Sequence, residues 1–179
     1  QALAFEVMLR EESIAKAGAQ RAASAAGILG KAIGADGMVG GQVIDLLSEG
    51  KQISLETLRK MDEGKTGALI SACVQMGCML GGGSENELQA AREYAAAIGL
   101  AFQIVDDILD IEGDTAILGK QVGSDVANDK STYVSILGMQ QAKALVQQLT
   151  QTAVHALEVF QGDTQYLKEL AEYLASRKK

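Results

Sequence analysis

An all-α fold is what this sequence predicts, and three observations carry the prediction. Proline is absent from all 179 residues, so no position of that kind breaks a helix interior. Aromatic residues make up only 4% while Ala, Leu, Glu, Gln and Lys are plentiful, a composition that favours helix over strand. Apolar residues recur at three- and four-residue spacing along most of the chain. With 47% apolar residues the chain can close a sizeable core. No linker, repeat or low-complexity stretch divides it, so residues 1–179 read as a single helical domain.

The charge balance narrows the function. A net charge of -7 and a pI near 4.8 argue against a nucleic-acid groove. A small anionic ligand would need local lysines or a metal ion to approach such a surface. No apolar run reaches membrane-spanning length and no signal peptide is visible, so no stable membrane insertion is expected. Cys73 and Cys78 stand five apart on different faces of one apolar helical segment, which suits neither a disulfide nor a CxxC metal site. They are expected as buried free thiols in a reducing cytosol.

Taken in order, residues 1 to about 16 read as the later turns of a helix with Leu3, Val7 and Ile14 inward. The chain opens within QALAFEVML, already in helical rhythm and without an initiating Met, so it is expected to be part of a longer protein. A second helix covers about Gln20 to Ile33, rich in Ala and Gly, and Gly34 and Gly37 bracket a turn. Met38 to Ser48 forms a short helix with Gln42, Asp45 and Glu49 on one side. Ser54 is a fair N-cap with Glu56 in the first turn, opening a long helix to about Met79. Its inward stripe is Leu58, Met61, Lys65, Leu69, Ala72 and Met76. A lysine in an apolar stripe wants an anionic partner, because burying an unpaired ammonium costs several kcal/mol. Lys65 is either a phosphate ligand or a side chain snorkelling out of a helix interface. Gly64-Lys65-Thr66 is not a P-loop: Arg59 stands where its first glycine belongs, and the surroundings are helical.

Gly81, Gly82 and Gly83 end that helix, and Ser84 with Glu87 forms a capping box for the next, expected from about Ser84 to Ile111. The polar segment from Gly113 to Asp129 is too long for a simple connector, and Lys120 and Lys130 supply cations that could close over an anion. Tyr133 to about Gly138 and Met139 to Phe160 read as helical, with Val146, Leu149, Val154, Leu157 and Phe160 apolar. His155, the single histidine, reads as an exposed helix residue. Gly162 and Asp163 mark a turn. The last helix runs to Arg177 with Tyr166, Leu167, Leu170 and Leu174 toward the core, and Arg177-Lys178-Lys179 complements its C-terminal dipole.

The chemistry concentrates in FQIVDDILD, Phe102 to Asp110. On a helix at 100° per residue, Gln103, Asp106, Asp107 and Asp110 fall within roughly a 100° wedge. The rest of that helix is apolar, so the carboxylates should point into a cavity. At roughly 6 Å and an effective dielectric near 20, each pair repels by about 2 to 3 kcal/mol, and Asp110 lies near the negative end of the helix. A divalent cation would relieve the repulsion. Hard oxygen ligands without nearby His or Cys suit Mg²⁺ bridging to phosphate better than Zn²⁺. Gly99, Ala96 and Ala95 continue the wedge and would leave room for an apolar ligand. The alternative is a solvated acidic face with small residues that ease helix packing.

FQIVDDILD resembles the second aspartate-rich motif of the trans-isoprenyl diphosphate synthases, the farnesyl and geranylgeranyl diphosphate synthase family. GGQVIDL at Gly40 to Leu46, KTGAL at Lys65 to Leu69, and GDTAILGKQVGSDVANDKSTY at Gly113 to Tyr133 follow in the family's order, nearest the bacterial short-chain enzymes. The resemblance implies an antiparallel bundle of the isoprenoid synthase type, incomplete at its N-terminal side. The family's first aspartate motif and its homoallylic-substrate residues lie upstream of Gln1. This chain thus reads as a C-terminal part of such an enzyme.

By resemblance, an allylic diphosphate (dimethylallyl or geranyl) is ionised with the help of several Mg²⁺ ions. The cation is attacked by isopentenyl diphosphate, and a proton is lost to give farnesyl diphosphate. The resemblance assigns Asp106, Asp107 and Asp110 to the metal and Lys65, Lys120 and Lys130 to diphosphate. It places Thr66 and Gln103 beside the developing cation, making Lys65, Thr66, Gln103 and Asp106 the catalytic set. It also implies that Gln42 and Asp45 support the cavity wall, although polar capping of a packed helix explains them equally. It implies a cytoplasmic homodimer whose early helices enter the interface, and a basic tail that helps cover the site. Geranylgeranyl or longer-chain synthesis is an alternative, as is a non-catalytic helical fragment. Terpene cyclases usually carry Asn and Ser in this motif, which DDILD lacks.

Overall fold

A computed structural model of the chain describes residues 1–112 and 130–177, and these are helical with no strand among them. Helix α1 spans Ala2–Met8 and α2 Glu11–Ala17. The single expected helix is therefore broken at Leu9 and Arg10, where Arg10 takes an extended conformation. The inward side differs from the expected one as well. Phe5 and Met8 are the half-buried residues of α1, with Phe5 near Gly30 of the next helix, while Leu3 and Val7 are exposed. At Gly18, φ is +87°, a left-handed conformation that lets α2 turn directly into α3, Ala19–Ile33. Ala22, Ala25, Leu29 and Ala32 form the buried stripe of α3, and these small side chains let α6 approach closely.

Helix α4, Met38–Ser48, has the expected bounds. Gly41 is where it meets the lysine segment: a methyl added there would lie 2.0 Å from the Lys65 backbone nitrogen, so only glycine fits. Helix α5, Leu55–Asp62, begins at the Ser54 cap, whose side chain accepts from the Thr57 backbone N–H at 3.1 Å. It runs through a π-helical turn, Glu63–Gly67, into α6, Ala68–Leu80.

That turn explains a misread stripe. A π turn inserts extra residues and rotates everything beyond it relative to the preceding helix. Leu58 and Ala72 are buried as expected, yet Leu69, beyond the turn, is exposed; Asp62, before the turn, is buried on the Leu58 side of α5. Cys73 also lies exposed on α6, against the expectation of two buried thiols; Cys78 is partly buried, and both are free.

Helix α7, Glu85–Glu112, is the axis of the bundle, packed against α6 on one side and against later helices on the other. Its predicted capping box is present: the Ser84 backbone N–H donates to Glu87 Oε2 at 2.8 Å, and the Glu87 N–H donates to Ser84 Oγ at 3.3 Å. Helix α8, Tyr133–Leu137, opens on a second box formed by Thr132 and Ser135. Helix α9 covers Met139–Ala156 and continues as one 3₁₀ turn, Leu157–Val159; α10 covers Gln165–Ser176.

Two neighbouring sets of side chains make the core around α7. One joins Leu100, Ile104, Val105 and Ile108 to Leu58, Tyr133 and Val146; the other joins Tyr94 and Ile98 to Ala153, Leu157 and Ala171. The buried Tyr94 hydroxyl donates to the Leu167 carbonyl at 2.7 Å, tying α7 to α10, and burial pushes its pKa up to about 12. Tyr166 is 76% exposed rather than turned inward, because Leu167, Ala171 and Leu174 supply the packed side of α10. His155 is exposed as expected, with Nδ1 3.1 Å from Glu158. No described helix is long and apolar enough to cross a membrane.

Candidate active site

Three of the four expected wedge residues on α7 share partial exposure. Ile104, Val105 and Ile108 are fully buried, whereas Gln103, Asp106 and Asp107 remain half-exposed on the same helix. Each of the latter two carboxylates has a defined contact. Asp107 Oδ2 accepts from the Tyr133 backbone N–H at 2.7 Å, which uses one of the donors at the α8 N-terminus. Asp106 Oδ1 accepts from Arg177 Nη2 at 2.5 Å, and the same guanidinium donates to the Phe102 carbonyl at 3.2 Å. It also lies over the Phe102 ring, 4.1 Å from the centroid. Asp110 does not share their exposure. Its side chain is 1% exposed, and among the described residues no three acidic, His or Cys side chains converge closely enough to hold a metal ion.

The lysine side is built from α4 and the π turn. Lys65 Nζ donates to Asp45 Oδ2 at 2.6 Å, with the two side chains 38% and 21% exposed. This ion pair supplies the anionic partner that an ammonium in an apolar stripe requires. It also gives Asp45 a defined partner, whereas Gln42 is exposed. Thr66 is half-buried within the π turn. The turn reaches α7 where Gly67 meets Gly99: a methyl added at Gly99 would stand 3.4 Å from the Gly67 Cα. Lys130 lines a small cleft with Asp45, Ser48, Lys51 and Met61, so it stands on the Asp45 side of the pair. Lys120 lies outside the described residues.

Beside this crossing is a cavity of about 230 Å³ bounded by Asp62, Gly67, Ser71, Ala96, Gly99 and Leu100. Ala96 and Gly99 are two of the three small residues expected to leave room there; Ala95 is buried. A larger groove of about 790 Å³ lies between α7, α9 and α10, along Val105, Leu109, Val146 and Ala175. It faces away from the wedge, and Arg177 at its edge is the residue that touches both.

Sequence reasoning missed Asp62. Its side chain is 6% exposed, and burial pushes its pKa up to about 7, against the lowering effect of Tyr133 and Lys65. The signal was in the spacing: Asp62 stands four residues after Leu58, on the same face of α5 as that buried leucine. The pairing of Arg177 with Asp106 was also missed, because 71 positions separate the two residues.

The donor set fits a hard divalent cation at Asp106 and Asp107. Both are half-exposed carboxylates that offer hard oxygen donors, and Asp106 already holds a cationic group. Lys65 lies within the π turn, and Lys130 lines the cleft beside its partner Asp45.

The chain is similar to known proteins over nearly its whole length. The polyprenyl synthetase family profile matches residues 2–172. The farnesyl diphosphate synthase of Haemophilus influenzae is 43% identical over 180 residues, which covers 99% of this chain and 60% of that protein. Among solved structures, an FPP/GFPP synthase from Zymomonas mobilis superposes with a TM-score of 0.84 at 35% identity, over 97% of this chain and 57% of that one. A geranyltransferase from Helicobacter pylori, solved with magnesium and isoprenyl diphosphate, gives 0.75 at 29% identity, over 97% and 55%. The chain thus spans a little over half the length of these relatives. Its helical order, its aspartate wedge and this breadth of similarity place it in one group: the chain belongs to the polyprenyl synthetase family.

Proposed function

We propose that this chain carries one wall of a prenyltransferase site, in a protein that condenses an allylic diphosphate with isopentenyl diphosphate to give farnesyl diphosphate. The observation that carries this reading is the partial exposure of Gln103, Asp106 and Asp107 on the same stretch of helix as the buried Ile104, Val105 and Ile108, with Lys65 in the π turn that packs on that helix. Such a site needs no side-chain nucleophile. Magnesium, when bound, neutralises the diphosphate and assists its departure.

The residues of this chain have separate tasks. Asp106 is the leading metal ligand, Asp107 joins it directly or through water, and Asp110 belongs to the same wedge at greater depth. Lys65, with Lys130 and Lys120, holds the diphosphate oxygens; Asp45 keeps the Lys65 ammonium in place until phosphate competes for it. Thr66 and Gln103 present neutral oxygens where positive charge develops on the allylic carbon, and these stabilise it without trapping it as a covalent adduct. Association as a homodimer in a cytoplasmic setting belongs to the same reading. The exposed Val39, Val43, Leu46 and Leu47 of α4 support association, since they form an uncovered apolar side.

A longer product is the second reading, favoured by the likeness to a synthase described as FPP/GFPP. Calorimetric titration of the chain with geranyl diphosphate, with and without Mg²⁺, tests the proposal. Binding that requires Mg²⁺ supports a working half-site. Absence of binding in either condition, from a sample helical by circular dichroism, makes this chain a scaffold that cannot hold substrate alone.

A further inference from the structure

Three consecutive residues at the start of α8 are each held by a defined hydrogen bond. The Ser131 hydroxyl accepts from the Ile53 backbone N–H at 3.0 Å and donates to Gln52 Oε1 at 3.4 Å. Thr132 caps α8 through its box with Ser135. The Tyr133 N–H donates to Asp107 Oδ2 on α7 at 2.7 Å. Ile53 is itself well seated: it stands directly before the Ser54 cap of α5 and packs against the core set of Leu58, Leu100 and Tyr133. Ser131 thus fastens this segment to the connection between α4 and α5, while Tyr133 fastens it to the aspartate wedge. Lys130 directly precedes Ser131 and lines the cleft with Asp45, the partner of Lys65.

We infer that Ser131 is a positioning residue for the lysine side of the site: its hydroxyl clasps the α4–α5 connection and so sets where Lys130 stands relative to Lys65 and Asp45. Consecutive Cα atoms are about 3.8 Å apart, so a backbone fixed at Ser131 leaves Lys130 little room to drift. A hydroxyl suits the task because it accepts from a backbone N–H and donates to a side-chain amide at once; alanine offers neither. The clasp joins residues 78 positions apart, so no local rule of helix or turn supplies it. Without it the Ile53 N–H must turn to water, and the segment loses its tie to α5. Ser131 acts through Lys130, and its influence on binding rests on the reading of that lysine as a diphosphate ligand.

The test pairs a ligand-free readout with a binding readout. In ¹⁵N-labelled chain, Ser131→Ala should shift the Ile53 and Lys130 amide resonances and speed hydrogen exchange at Ile53 about tenfold, while amides near Ala153 stay in place. Ser131→Thr keeps the hydroxyl and should leave both near the parent values. Mg²⁺-dependent binding of geranyl diphosphate, followed by calorimetry, should weaken about three- to tenfold with Ser131→Ala and stay within about twofold with Ser131→Thr. Added to Lys130→Ala, the Ser131→Ala change should cost nothing more, because it acts through that lysine. Unchanged exchange at Ile53 in the alanine variant would overturn the proposal, as would a threonine variant no better than the alanine one. Multiplied losses in the double variant would overturn it too, since Ser131 would then have an effect of its own. Ser131→Cys keeps the size but hydrogen-bonds weakly, and it takes the place of the alanine variant if that one does not fold. If the parent chain binds no geranyl diphosphate while the Ile53 and Lys130 changes appear, the positioning of Lys130 stands and the functional reading fails.

Discussion

Arg177 closes onto Asp106 with a nitrogen-to-oxygen distance of 2.5 Å while its guanidinium lies 4.1 Å from the Phe102 ring centroid. The C-terminal end of α10 thus occupies, with a fixed positive charge, the carboxylate proposed above as the leading metal ligand. Its side chain is only 11% exposed, so the pair is partly desolvated and stronger than a surface ion pair.

Replacing Arg177 by Gln is expected to separate two effects. Stability should fall by about 1 to 3 kcal/mol, because Asp106 loses its cationic partner and Phe102 loses a stacked group. Affinity for Mg²⁺ should rise severalfold, since the ion no longer displaces a guanidinium. Urea unfolding and Mg²⁺ titration measure the two; weaker Mg²⁺ binding would show that Arg177 assists the metal rather than competing with it.

Lys65→Ala tests the anion side. Allylic diphosphate binding should weaken by more than tenfold and isopentenyl diphosphate binding by much less, as measured by calorimetry in the presence of Mg²⁺. The same change leaves Asp45 without its partner at 2.6 Å, so a modest loss of stability accompanies it. Equal weakening of both ligands would place Lys65 elsewhere in the mechanism.

Gly41→Ala should be among the most destabilising single changes in the described chain. The new methyl would stand 2.0 Å from backbone nitrogen and 2.7 Å from the Lys65 Cα, so α4 must move as a body. Overpacking of this kind costs about 1 to 3 kcal/mol or more. Gly99→Ala is the control, since its methyl meets only ordinary contacts at 3.4 and 3.8 Å. Similar melting temperatures for the two variants would show that the α4 crossing is looser than described.

The acid at position 62 makes a pH prediction with a definite sign. Its pKa is about 7 in the folded chain against an ordinary 3.8, and burial is the main cause. Between those values the folded state keeps a proton that the unfolded state releases, so stability falls as pH rises through that window and levels off above it. The full effect is at most about 4 kcal/mol. Asp62→Asn should therefore match the parent near pH 4 and exceed it by about 1 to 3 kcal/mol at pH 8. A stability difference that does not change with pH would mean that Asp62 titrates normally.

Much of this architecture is legible locally. The bounds of α4, the Ser54 cap, the Ser84–Glu87 box and the length of α7 rest on interactions within a few residues, and these the sequence contains in full. The wedge of Gln103, Asp106 and Asp107 is equally local, because one helix and its 100° step determine it. Family membership follows from ordered motifs in the same way.

What tertiary structure decided is which side of each element meets another. Leu3, Val7 and Tyr166 are apolar yet exposed, because Phe5 and Leu167 took the packed positions. The π turn shifted the register beyond it and left Leu69 outward, a change that no regular periodicity encodes, whereas Asp62, before the turn, packs inward one turn after Leu58. Asp106 found Arg177, and Asp107 found Tyr133, across 71 and 26 positions. Such pairings depend on how α7, α8 and α10 dock. A residue's neighbours along the chain determine its helix; only the packed bundle determines its partner.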